Sequence, residues 1–123
     1  MDIHLATRAL AATRIALGVA LFVAPRQAAR GWIGGDVDGV GTAAAVRGLG
    51  ARDVALGVGL LAASGPRDDH RDLHRWLEAG IVADVADAAA TVLMGRPDLK
   101  RGAVVALAAS GAAIGGWLRT RLP

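Results

Sequence analysis

Arg52 and Asp53 stand side by side in the middle of RGLGARDVALGVGLL (47–61), a run made otherwise of Gly, Ala, Leu and Val around a leading Arg47. A run of this composition reads as a lipid-facing or deeply buried helix. A charge at mid-depth in lipid costs ~2.5–3.5 kcal/mol on insertion scales. Two adjacent charges are tolerated there only if they face inward and meet opposite charges. That requirement shapes the reading of the whole chain.

Proline punctuates the sequence. Pro25, Pro66 and Pro97 each follow an apolar stretch, and proline both removes a backbone donor and disfavours helix at the residue before it. Four helices are expected between these stops, at about Ile3–Ala24, Thr42–Ser64, Leu73–Gly95 and Leu99–Arg121. Ala dominates and no alternating pattern appears, so strands are not expected. Residues 25–41, containing GWIGGDVDGVG, read as a long flexible connection. GPRDDHRD reads as a polar turn and GRPDLK as a tight one. Within the polar turn, Asp68, Asp69, His70, Arg71 and Asp72 read as solvated residues with Asp72 capping the third helix, not as a metal site.

At a rise of 1.5 Å per residue, helices of about 20 residues match the ~30 Å hydrocarbon core of a bilayer. Trp32, Trp76 and Trp117 fall near helix ends or in a loop, as interfacial anchors do. Pro25-Arg26 is a poor end for a signal-peptide cleavage region, so the first helix is expected to be retained. The longest charge-free run, Gly102–Leu118, is 17 residues, just short of a full span. Lys and Arg divide six and six between the two sides of a four-span topology, which leaves the orientation open.

TRALAATRIALGVAL (7–21) aligns without a gap on VRGLGARDVALGVGL (46–60), with eight of 15 positions identical at an offset of 39. Helix duplication and chance matching in an Ala/Gly/Leu/Val-rich chain both account for this echo. Arg14 aligns with Asp53. If the first two helices are antiparallel neighbours, the two residues fall near mid-helix and can meet as an ion pair.

All four helices bring polar groups to that level: Arg14, then Arg52 and Asp53, then Asp84 and Asp87, then Ser110. Gly80, Asp84, Asp87 and Thr91 follow i, i+4, i+7, i+11 and share a narrow stripe. Glu78 points the other way, toward water. Gly50, Asp53 and Gly57 share a face that lets a neighbouring backbone approach. Arg52 is expected to serve Asp84 or Asp87, and Arg47 to reach the interface by its long stem. Two Arg against three Asp leave one carboxyl expected to stay protonated.

Composition narrows the function. The chain has no Cys, so disulfides and thiol chemistry are excluded. Three scattered His (His4, His70, His74) do not suggest a metal site, and no metal or cofactor is expected. The net charge of +3 is spread along the chain and only four residues are aromatic, so nucleic acid is not an expected partner. WIGGD lacks the strand–helix setting of a nucleotide loop.

Arg47, Gly50, Arg52 and Asp53 in RGLGARDVALGVGLL, Asp84 and Asp87 in WLEAGIVADVADA, and a Gly/Ala-rich fourth helix together resemble small four-helix membrane proteins of actinobacteria. These are loosely similar to the DoxX-like group. The resemblance covers about Arg8 to Leu118; it implies a four-helix membrane fold and supplies no activity.

The expectation is therefore an all-α chain, a single antiparallel four-helix bundle spanning a bacterial inner membrane. Its central layer would be either a structural network that sets helix register or the lining of a site for a small lipophilic ligand. Arg14, Arg52, Asp53, Asp84 and Asp87 are the expected lining. Three alternatives accompany it: a membrane-embedded acid–base enzyme of isomerase or cyclase type using Asp84 and Asp87, a path for protons or ions, and a soluble helical bundle that oligomerises through its apolar faces. Membrane lipids and a second copy of the chain are the expected partners beside the ligand.

Overall fold

The computed structural model describes residues 3–65, 70–93 and 99–121. Nearly all of those residues are helical, with no strand among them: α1 (Ile3–Val23), α2 (Pro25–Ile33), a 3-10 turn (Gly34–Asp38), α3 (Val40–Ala63), α4 (His70–Leu93) and α5 (Leu99–Arg121). The four long helices lie within a few residues of their expected bounds. The expected flexible connection is corrected. Most of it is ordered as a fifth α-helix and a 3-10 turn.

Pro25 explains the change. It ends α1, but it also occupies the first turn of α2, where a missing N–H has no intrahelical acceptor anyway and the fixed φ suits a helix. Pro25 and Ala29 face inward while Arg26, Gln27 and Arg30 face out. Arg30 donates to Asp38 at 2.9 Å, tying α2 to the end of the 3-10 turn. The start of α4 is also earlier than expected. Asp72 lies inside the first turn instead of capping it, and its carboxylate pairs with Arg75 at 3.2 Å. Asp68, Asp69 and the GRPDLK turn through Asp98 lie outside the described residues.

Consecutive long helices run antiparallel. α1 and α3 cross most closely, because glycine removes the side chains between them. A Cβ on Gly18 would lie 2.5 Å from the Gly50 carbonyl oxygen, and a Cβ on Gly50 would lie 2.5 Å from the Gly18 carbonyl oxygen. Two turns away, a Cβ on Gly57 would come within 2.8 Å of the Ala11 carbonyl oxygen. The contact obeys the sequence echo. Gly18 aligns with Gly57 and Ala11 with Gly50, so the Gly18–Gly50 and Ala11–Gly57 contacts exchange under it. α1 and α3 thus pack about a local pseudo-twofold.

Apolar side chains gather at the two ends. Ala11, Leu60, Leu73, Leu77 and Leu118 form one buried cluster where α1 and α4 begin and α3 and α5 finish. Ala29, Val37 and Val46 form the other, beneath α2, with Leu21, Trp32 and Ile33 against them. Outward faces remain apolar: Phe22, Val58, Val82 and Leu93 are each at least half exposed. Two helices are long and apolar enough to cross a membrane, Ile3–Val23 and Gly102–Arg121. Within the most apolar 18 residues of each, 22% and 11% are buried.

Candidate functional site

Between the two apolar clusters lies the charged layer. α1 carries Arg14 to the point where it crosses α3, beside Asp53 at 3.6 Å. Arg14 and Asp53 are echo partners, so they face each other across the pseudo-twofold. Identical charges at this position would confront one another, and opposite charges pair. Arg14 also reaches α4, where its Nη2 donates to Asp84 Oδ2 at 2.6 Å. Arg52 grips Asp87 with both terminal nitrogens, Nη1 to Oδ1 at 2.9 Å and Nη2 to Oδ2 at 2.6 Å. The same Nη2 donates to Asp53 Oδ1 at 3.2 Å.

The five charges therefore form one alternating chain, Asp84–Arg14–Asp53–Arg52–Asp87, drawn from three helices. Like charges are nowhere paired along it, and the planar Arg52 fork suits two-point recognition of a carboxylate. The Arg14–Asp84 end is the more buried, with side chains 10% and 11% exposed, whereas Arg52 and Asp87 are 32% and 30% exposed. Arg52 Nε is buried without a hydrogen-bond partner, an arrangement that costs about 1–3 kcal/mol.

Two glycines make room for the chain. A Cβ on Gly80 would stand 2.9 Å from Arg14 Nη2, and one on Gly111 would stand 2.5 Å from Asp84 Oδ2. The guanidinium thus lies against the bare backbone of α4, and the carboxylate against that of α5. Gly80 belongs to the stripe read from the sequence; its role as a socket for Arg14 depends on where α1 sits. Gly111 had no marking neighbour, since glycine is frequent throughout α5.

Every expected residue except Ser110 joins the layer. Ser110 is exposed, and its hydroxyl donates to the Ala106 carbonyl one turn back at 2.7 Å. A helical serine meets that acceptor at less entropic cost than one across a gap. Thr91 likewise donates to the Asp87 carbonyl at 2.8 Å. Glu78 faces outward and pairs with Arg119 at 2.7 Å. Arg47 donates to the Phe22 carbonyl at 3.1 Å, meeting one of the carbonyls left open at the end of α1.

The charged layer borders a groove of about 850 Å³, within the range of small-molecule sites. α1 lines it from Ala6 to Leu21 and α5 from Val104 to Trp117, and Ala28 and Trp32 of α2 also line it. The stretch of α1 involved is ~22 Å long at helical rise. Its walls are mostly apolar, and Arg14, Arg52, Asp53, Asp84 and Asp87 all line it. A second cavity, of about 620 Å³ beside Trp32, Asp36 and Thr91, contains none of the five. Among the described residues no three His, Asp or Glu side chains are placed to hold a metal ion. The site can offer hydrogen-bond donors and acceptors between mostly apolar walls. Comparison with protein families, curated proteins and solved structures finds no match for this chain.

Proposed function

We propose that this chain is a multi-pass protein of a bacterial inner membrane, and that its central groove holds a small lipophilic molecule. Its four long helices form an antiparallel bundle across the bilayer, in keeping with the resemblance to small actinobacterial membrane proteins. α2 then lies along the interface, its Arg26 and Arg30 toward water and Trp32 toward the apolar side. Sequence hydropathy singles out α1 and α5; α3 and α4 carry the exposed Arg47 and Glu78 in addition to the charges paired inside.

The observation that carries the reading is the position of the ionic chain along an apolar groove. A network serving only to set register is best served by complete enclosure, since water or ligand beside it weakens its pairing. Here Arg52 and Asp87 are each about one-third exposed. The unpartnered Arg52 Nε is the kind of unmet donor that accompanies functional sites.

Two measurements test this. Membranes bearing the protein, washed in alkaline carbonate, should retain it; release into the supernatant overturns the membrane assignment. Native mass spectrometry of detergent-purified protein should show a bound lipophilic molecule. Ala108→Trp, which fills the groove from α5, should remove that adduct, and Val82→Trp on an exposed face should keep it. An adduct indifferent to Ala108→Trp would place the ligand elsewhere.

A further inference from the structure

Resting on the groove reading above, we infer that the molecule this groove takes is a lipophilic monocation, bound at Asp84 in exchange for one proton. The argument is one of charge. Arg14 and Arg52 face Asp53, Asp84 and Asp87, so the fully ionised layer is negative by one. Among the described residues no other element corrects the deficit. α5 brings Ser110 and Gly111 to the groove and α2 brings Ala28 and Trp32, none of them ionisable.

Both cations are already engaged. Arg52 is shared between Asp87 and Asp53, and Arg14 between Asp84 and Asp53. An anionic ligand would deepen the deficit and find the terminal nitrogens of both guanidiniums already paired, with Arg52 Nε left as a single buried donor. A neutral ligand leaves the proton on Asp84 and makes no use of the carboxylate, whereas a cation can take that proton's place. A single positive charge brings the layer to zero.

The pairing pattern locates the deficit. Asp87 receives two bonds from one guanidinium, and Asp53 lies between both arginines. Asp84 holds Arg14 through one oxygen, Oδ2, and is the more buried end of the chain. With the groove empty of cation, a proton on Asp84 neutralises the layer. Binding then follows a balanced exchange: the cation and the Asp84 carboxylic acid give an ion pair and a free proton. Trp32 and Trp117 line the same groove, and indole faces attract cations. Trp117 already holds the Arg121 guanidinium 5.6 Å from its ring centre.

The test uses full-length detergent-purified protein and three probes of like shape: tetraphenylphosphonium, neutral triphenylphosphine oxide and tetraphenylborate. Calorimetry in buffers of different ionisation enthalpy counts protons. Tetraphenylphosphonium should bind at least about tenfold more tightly than either other probe and release about one proton per molecule bound. Its affinity should rise by roughly tenfold per pH unit on the acid side and level off once Asp84 is ionised without ligand. Asp84→Asn should abolish the preference and the proton release while leaving the neutral probe bound. Equal or tighter binding of tetraphenylborate, binding without proton release, or an unchanged preference in Asp84→Asn would each overturn the inference. If Asp84→Asn fails to fold, the proton count and probe order of the unaltered protein decide the matter. Binding of the neutral probe alone defeats the cation and leaves the groove reading standing; binding of none of the three defeats both.

Discussion

Gly18 of α1 and Gly50 of α3 meet backbone to backbone, each carbonyl oxygen lying 2.5 Å from where the other's Cβ would be. The approach is reciprocal, and the atoms in the way are main chain, which cannot rotate aside. It brings Arg14 and Asp53 within reach across the same helix crossing.

Gly50→Ala should therefore separate α1 from α3 despite adding a single methyl group. Overpacking of this kind costs ~1–3 kcal/mol, and here it also strains the ionic layer. Gly48→Ala, two residues away with open space around its Cβ, should be neutral or slightly stabilising, because alanine favours helix over glycine by ~1 kcal/mol. Thermal unfolding followed by helical circular dichroism distinguishes the pair. Equal stability of the two variants would contradict the close crossing.

Gly111→Ala should push the Asp84 carboxylate off its place beside Arg14, since the new methyl would lie 2.5 Å from Oδ2. Gly116→Ala, with nothing within 4 Å of its Cβ, is the matched control on the same helix. We expect Gly111→Ala to lower the melting temperature and Gly116→Ala to leave it level or raised. The reverse order would mean that Asp84 is not seated on α5.

Removing one partner of the Arg14–Asp84 pair should be worse than removing both. Arg14→Met leaves the buried Asp84 carboxyl without its hydrogen-bond partner and is expected to cost about 1–3 kcal/mol. Arg14→Met with Asp84→Leu should recover a substantial part of that loss, because no unpartnered carboxyl is left at that end and Asp53 keeps Arg52. A double-mutant cycle by denaturant titration reads the coupling; additive losses would show that the two side chains do not interact.

Val58 on α3 is 52% exposed and would face lipid in the proposed arrangement. Val58→Asp should reduce membrane insertion by less than the ~2.5–3.5 kcal/mol of a charge at mid-helix, because Val58 lies toward the end of α3; the loss is visible as protein missing from the membrane fraction. A soluble protein would tolerate the change, with an effect within about 0.5 kcal/mol. Normal yield and fractionation of Val58→Asp would count against lipid at that face.

Much of this architecture is readable in the linear chain. Prolines and apolar runs locate the long helices to within a few residues, because helix termination and periodicity are local properties. The stripe of Gly80, Asp84, Asp87 and Thr91 follows from helical geometry, and the common depth of Arg14, Arg52, Asp53, Asp84 and Asp87 from counting along helices of similar length. The echo correctly anticipates the meeting of Arg14 with Asp53, since antiparallel packing of two aligned segments brings matching mid-positions together.

Other features required three-dimensional placement. Two Arg and three Asp at one level allow several pairings. Only the positions of α1 and α3 around α4 assign Asp84 to Arg14 and Asp87 to Arg52. α2 escaped sequence reading because nine residues, one of them glycine, beside four further glycines carry a weak local signal; Ala29 is held by packing against Val37 and Val46. Ser110 stands at the right depth yet bonds to its own helix, because depth does not determine which way a side chain turns. The groove is a property of no single helix: it exists because α5 stands away from α1. Composition and periodicity act within a helix, whereas ion-pair partners and cavities depend on the distances between helices, which packing alone sets.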